Sequence, residues 1–349
     1  MKTLVESIEQ LLERQNVAAT IDYTTARLTL IYLDQCVFSS LLDRPRNATW
    51  SQVRDLLFEG NRQRKFLCPY SLEHIVETAA MRPEDAAEVD SLARRLSLGQ
   101  SLRLEFILVA SQIASSMRGL PMSLTELLEP NQVRPLSDPE FRERMLRGKL
   151  GLDAFNSKKM ELQNHMNKAF RDGRSPSSGV SKAILDLRSD TYTKRLIAEL
   201  DVVLRTGRAR IEAVPDAPHM PTWASLIIYI LIRLHQPDRA ELLQLRKRLV
   251  DEGAIFIPFL RTKIILEAAA IAKQQKIEPS DQYDNTRVAC ALPFADILVT
   301  DGGIAAGLRE VRLDAYFATD VFSTKDAERQ ALTARLQRAL EAKELPDVS

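Results

Sequence analysis

Hydrophobic positions change their period several times along this chain. Leu4, Ile8, Leu11 and Leu12 recur at helical spacing between acidic residues, which predicts an amphipathic helix ending before Asn16. Leu28-Thr29-Leu30-Ile31-Tyr32-Leu33 is instead a continuous β-branched and aromatic run, so it predicts a short buried strand stopping at Asp34. Lys65 to Cys68, closed by Pro69, predicts a second strand. Ser71 then suits the N-cap of a helix whose apolar stripe is Leu72, Ile75, Val76 and Ala79. From residue 82 to about 276 strand signals almost vanish, and the pattern predicts helices broken near residues 119–121, 173–179 and 214–221. Strand character returns at Ile297-Leu298-Val299-Thr300 and again at either Tyr316-Phe317 or Val321-Phe322.

Strand, turn and helix at both ends of the chain predict an α/β fold in which residues 1–80 and 277–349 build one domain. Residues 81–276 are then a large all-helical insertion. With 349 residues and 45% hydrophobic content, such an assembly has enough apolar surface for a real core. The most apolar run, residues 223–232, spans roughly ten residues against the ~20 a membrane helix needs, so it reads as a buried helix. The 48 basic and 47 acidic residues leave a net charge of +1, so a polyanion would have to be met by a local patch. Cys36, Cys68 and Cys290 stand apart without a CxxC pair, which argues against structural zinc. Glu6, Glu9 and Glu13 interrupt the segment a secretory signal would keep apolar, and the expectation is free thiols in the cytoplasm.

In an open parallel sheet, ligands bind outside the carboxyl ends of the strands. Asp34 follows the first strand and Asp301 follows Ile297 to Thr300, so parallel pairing would bring the two to one edge. An aspartate in that position also serves commonly as a turn or helix cap. Asp284, before Val288, Ala289 and Leu292, is a third acid, although Asp281 and Asp284 could equally cap their own helix. On the helix after Ser71, Glu73 and Glu77 lie one turn apart, and periodicity leaves the choice between them open. Asp296 precedes the strand that Asp301 follows, and at about 3.3 Å per residue it belongs toward the opposite edge. Thr300 could orient a neighbouring carboxylate, while His74 reads most simply as a packed residue.

Tyr32-Leu33-Asp34-Gln35-Cys36-Val37-Phe38-Ser39 and Pro69-Tyr70-Ser71-Leu72-Glu73-His74-Ile75-Val76-Glu77 resemble the first two motifs of PIN-like nucleases. Ser280-Asp281-Gln282-Tyr283-Asp284 and Ala291-Leu292-Pro293-Phe294-Ala295-Asp296-Ile297-Leu298-Val299-Thr300-Asp301 are similar to the third and fourth, in the same order. The resemblance covers roughly residues 28–80 and 278–322. It implies a Rossmann-like parallel sheet flanked by helices, with metal-binding and catalytic carboxylates at Asp34, Glu77, Asp284 and Asp301, and it favours Glu77 over Glu73. Clustered carboxylates raise one another's pKa unless a cation neutralises them, and oxygen-only ligation suits Mg²⁺ or Mn²⁺. The implied activity is metal-dependent endonucleolytic hydrolysis of RNA.

Arg142, Arg144, Arg147, Lys149, Lys158, Lys159, Lys168, Arg171 and Arg174 form the best local candidate for phosphate contacts, or else a solvated helical face. Two rival readings remain. An aspartyl-nucleophile phosphatase would want a second aspartate two residues after Asp34, where Cys36 stands. A catalytically inactive helical scaffold would bind no divalent metal. The expected partner is nucleic acid, and not a membrane, while homo-oligomers and an inhibitory protein partner are left open.

Overall fold

The computed structural model describes residues 28–42, 49–131, 133–150, 182–214, 217–273 and 279–342, together with residues 153, 157, 161 and 164. The helix expected through Leu4 to Leu12 and the loop expected near residue 174 lie outside them. The chain divides into two compact units. Of the described residues, one draws on those within 28–102, 130–164 and 279–342, the other on those within 103–129 and 182–273.

The first unit is built on a parallel sheet. Strand β1 is Thr29–Leu33, followed by helices α1 (Gln35–Ser40) and α2 (Ser51–Arg62), strand β2 (Phe66–Leu67), and helices α3 (Leu72–Ala79) and α4 (Pro83–Leu96). A short strand β3 follows at Gln100–Leu102. The last part of the unit contributes α5 (Pro279–Ala291), β4 (Ile297–Thr300), α6 (Gly302–Glu310), α7 (Leu313–Phe317), β5 (Asp320–Ser323) and α8 (Asp326–Glu341). The sheet order is β2-β1-β4-β5, with every neighbour pair parallel. Ile31 lies opposite Ile297 and Leu33 opposite Val299, so the chain's two distant segments meet at the sheet centre.

β1 and β4 are buried on both faces, which is why each reads as an unbroken apolar run. Ile31, Leu33, Phe38, Leu57, Ile297 and Val299 share one core cluster. Helix α2 approaches that core closely at Gly60, where an added Cβ would stand 2.0 Å from the Phe66 ring. Beside β2, Tyr70 N–H donates to the Gln100 carbonyl at 3.1 Å and Leu102 N–H to the Tyr70 carbonyl at 2.8 Å. Residues beyond the expected boundary at 80 therefore extend the same unit. Val321-Phe322 is the strand of the two expected candidates, whereas Tyr316-Phe317 closes a helix.

The second unit is formed mainly by helices, among them Glu105–Arg118, Lys182–Thr206, Arg239–Glu252 and Pro258–Ala272. Trp223–Ile230 is a helix with Ala224 and Leu226 to Ile228 buried, and it runs into a π-helical turn at Leu231–His235. The expectation of an all-helical middle needs correcting. Short strands occur at Gln100–Leu102, Leu128–Pro130, Ala213–Val214 and Ala217–Pro221. They are two to five residues long, and Gln100–Leu102 is largely polar, Leu128–Pro130 and Ala217–Pro221 carry proline, and Ala213–Val214 is too short to show an alternation from which it could be read. No helix among the described residues is long and apolar enough to cross a membrane.

Candidate active site

Asp34 stands where β1 ends, and its backbone N–H continues the ladder to the Val299 carbonyl at 2.9 Å. It is also the N-cap of α1, its Oδ1 accepting from Gln35 N–H at 2.7 Å. Its Oδ2 accepts from the buried Thr300 hydroxyl at 2.8 Å. The cap geometry and the threonine therefore fix the carboxylate of a buried aspartate at the carboxyl edge of the sheet. Asp301, one residue past β4, caps α6 in the same manner through Gly303 N–H at 2.6 Å and Ile304 N–H at 3.1 Å, both to Oδ1.

Helix α5 begins at Pro279, so Asp284 lies well inside it rather than in a capping box with Asp281. Arg287, one turn beyond Asp284, carries the arrangement. Its Nη1 donates to Glu77 Oε2 at 2.6 Å and its Nη2 to Glu77 Oε1 at 3.0 Å, a bidentate pair. Nη2 also bonds Asp284 Oδ1, and Nη1 lies 3.4 Å from Asp34 Oδ1. Asp34, Glu77 and Asp284, from three separate segments, thus share one guanidinium that is only 3% exposed.

Burial raises the Asp284 carboxyl to about 7, with Arg287 pulling it down while Asp34, Glu77 and Asp301 push it up. Asp301 is therefore an electrostatic neighbour of Asp284. Burial opposes the Arg287 charge, but Tyr32 and the three carboxylates raise its pKa overall. The Cys36 thiol is pushed up to about 12 by burial and then by Asp34 and Asp301, so it is no thiolate nucleophile at neutral pH. Among the described residues, no three histidine, cysteine, aspartate or glutamate side chains stand ready as a metal-ligand set.

The neighbouring positions have clear structural roles. Asp296 lies at the other end of β4, its Oδ2 accepting from Leu30 N–H at 2.8 Å, far along the strand from Asp301. His74 is buried, caps α3 together with Ser71, and stacks between Tyr32 and Tyr70 at 5.2 and 5.5 Å. Burial, aided by Arg287, holds its pKa well below the usual histidine range, which suits a packed neutral ring. Within the basic stretch, Arg142 donates to the Met81 carbonyl at 2.5 Å, Arg147 pairs with Glu143, and Lys149 pairs with Asp153 at 2.7 Å. Lys158, Lys159, Lys168, Arg171 and Arg174 lie outside the described residues.

Sequence reasoning missed Arg287. Its only signal was a lone cation one turn after Asp284, directly before the apolar Val288 and Ala289. Comparison of the chain with protein-family models, with curated proteins and with solved structures finds no match.

Proposed function

We propose that this acidic edge is the active site of a metal-dependent phosphodiesterase of PIN-like type that hydrolyses RNA. The observation that carries the reading is the convergence of Asp34, Glu77 and Asp284 on Arg287, with Asp301 beside them at the carboxyl ends of two central parallel strands. Four carboxylates against one guanidinium leave negative charge uncompensated. Asp284 Oδ2 and Asp301 Oδ2 carry no hydrogen bond among the described residues, so the donor set fits a hard divalent cation. Mg²⁺ or Mn²⁺ held by these carboxylates would supply Lewis acidity toward the scissile phosphate.

The chain's own residues supply position. Thr300 and the α1 cap hold both Asp34 oxygens, so that carboxylate is oriented before any ligand arrives. Arg287 braces Glu77 and Asp284 from the buried side. The aliphatic stem of Lys325 lies over Gly302, where an added Cβ would stand 3.1 Å from its Cε and 3.8 Å from its Nζ, so the side chain of this exposed lysine reaches the first residue of α6, next in sequence to Asp301, and would suit a substrate phosphate.

The test is incubation of the purified protein with labelled single-stranded RNA, duplex RNA and single-stranded DNA, with Mn²⁺ or with chelator. The expected outcome is Mn²⁺-dependent cleavage of RNA leaving a 5′-phosphate. Cleavage that persists in chelator, or no cleavage of any of the three, would refute the reading.

A further inference from the structure

Arg287 sorts the carboxylate oxygens into two groups. Both Glu77 oxygens, Asp284 Oδ1 and Asp34 Oδ1 face the guanidinium, and its Nε turns to the Tyr283 carbonyl at 3.4 Å. Asp284 Oδ2 and Asp301 Oδ2 have no such partner among the described residues. Glu77 is therefore committed on both oxygens, whereas Asp284 and Asp301 each keep one available.

A guanidinium and a divalent cation compete for the same lone pairs, and at close range in a partly buried site they repel each other. A four-carboxylate cluster is able to hold two divalent ions roughly 3.5–4 Å apart. Here an arginine that is 3% exposed stands among three of the four acids. It cannot leave cheaply, because removing it would strand several carboxylates at once.

We infer that Arg287 is a built-in cation filling one of the two cation positions this cluster offers, so that the protein takes a single divalent ion on the side of Asp284 and Asp301, whose second oxygens stay open. Glu77 then works through Arg287 as a positioning residue and is not a metal ligand. The inference rests on the proposed metal-dependent reading of the same site. It also gives a physical reason why no three-ligand set stands ready among the described residues, since the guanidinium holds the acids in its own geometry.

The experiment is Mn²⁺ titration followed by calorimetry and by electron paramagnetic resonance, on the wild-type chain and on Arg287→Gln, Arg287→Lys, Glu77→Gln and Asp284→Asn. Wild type and Arg287→Lys are expected to bind one ion per chain, and Arg287→Gln to admit a second whose spin couples to the first. Glu77→Gln should keep Mn²⁺ affinity within about threefold, whereas Asp284→Asn should weaken it about tenfold or more. Two ions in the wild type, or a single unchanged ion in folded Arg287→Gln, would overturn the inference while leaving the metal-dependent reading intact. Should Arg287→Gln fail to fold, the remaining pair decides, since equal losses in Glu77→Gln and Asp284→Asn would overturn it. No Mn²⁺ bound by the wild type or any variant would sink the metal-dependent reading itself, and this inference with it.

Discussion

Arg287 and Glu77 meet as a two-point ion pair, with Nη1 at 2.6 Å from one carboxylate oxygen and Nη2 at 3.0 Å from the other. The pair joins α5 to α3, helices whose residues lie 210 positions apart in the chain. It is therefore a tertiary fastening as well as part of the candidate site. Residues so coupled should not behave additively. Glu77→Gln and Arg287→Gln are expected to destabilise the protein singly, and the double variant to lose less than their sum by about 1 kcal/mol or more. Urea unfolding of all four proteins checks this, and strict additivity would show that the pair contributes nothing beyond its separate contacts.

The acid set at the sheet edge gives a second prediction. Asp34→Asn and Asp301→Asn each keep size and capping oxygen while removing charge, so cleavage is expected to fall at least about 100-fold with the fold intact. Asp296→Asn is the control, because its role is to accept from Leu30 N–H at the opposite end of β4, and an amide oxygen can still do so. Its activity should match wild type. Asp296→Ala, which leaves that N–H without its partner, should lower stability by about 1–3 kcal/mol while sparing turnover per folded molecule.

Much of this arrangement was readable in the sequence for a definite reason. Strands buried on both faces, such as Ile31 to Leu33 and Ile297 to Val299, have no solvent side to interrupt their apolar run, and each ends in an aspartate. Asp34, Asp301 and the separate position of Asp296 followed from that. Arg287 was hidden because a pattern of acids does not specify which cation balances them. The start of α5 was misplaced because Asp281 and Asp284 resemble a cap, although Pro279 marks the first helical position. Short strands such as Gln100–Leu102 were illegible because their pairing depends on distant residues rather than on their own composition.

A third prediction concerns packing. Any side chain larger than hydrogen at position 60 would overlap the Phe66 ring, so Gly60→Ala should cost about 1–3 kcal/mol as α2 is forced off β2. Combining it with Phe66→Leu should recover part of the loss. Thermal melting of the single and double variants checks this, and a Gly60→Ala protein as stable as wild type would show that the contact yields freely.

The second unit offers a pH test. Burial, and then Glu212, raise the Glu199 carboxyl to about 7. In the unfolded chain that group would titrate near 4.3, so between there and about 7 the folded state holds the extra proton. Its contribution to stability is thus fully present below the unfolded pKa and is lost as pH rises through 7. Glu199→Gln should flatten that part of the stability profile, measured by denaturant unfolding between pH 4 and 8. An unchanged slope would show that Glu199 does not control it.

The parallel contact between β1 and β4 also sets a timetable. Thr300 is 266 residues downstream of Asp34. While the chain is being made, β1 lacks its inner neighbour until almost all of that stretch has left the ribosome, and pairings this distant close slowly. Asp284, Arg287 and Asp301 all arrive with the same downstream segment. A nascent chain therefore carries Asp34 and Glu77 before the partners that complete their cluster, and Asp284, Arg287 and Asp301 join them together rather than one by one.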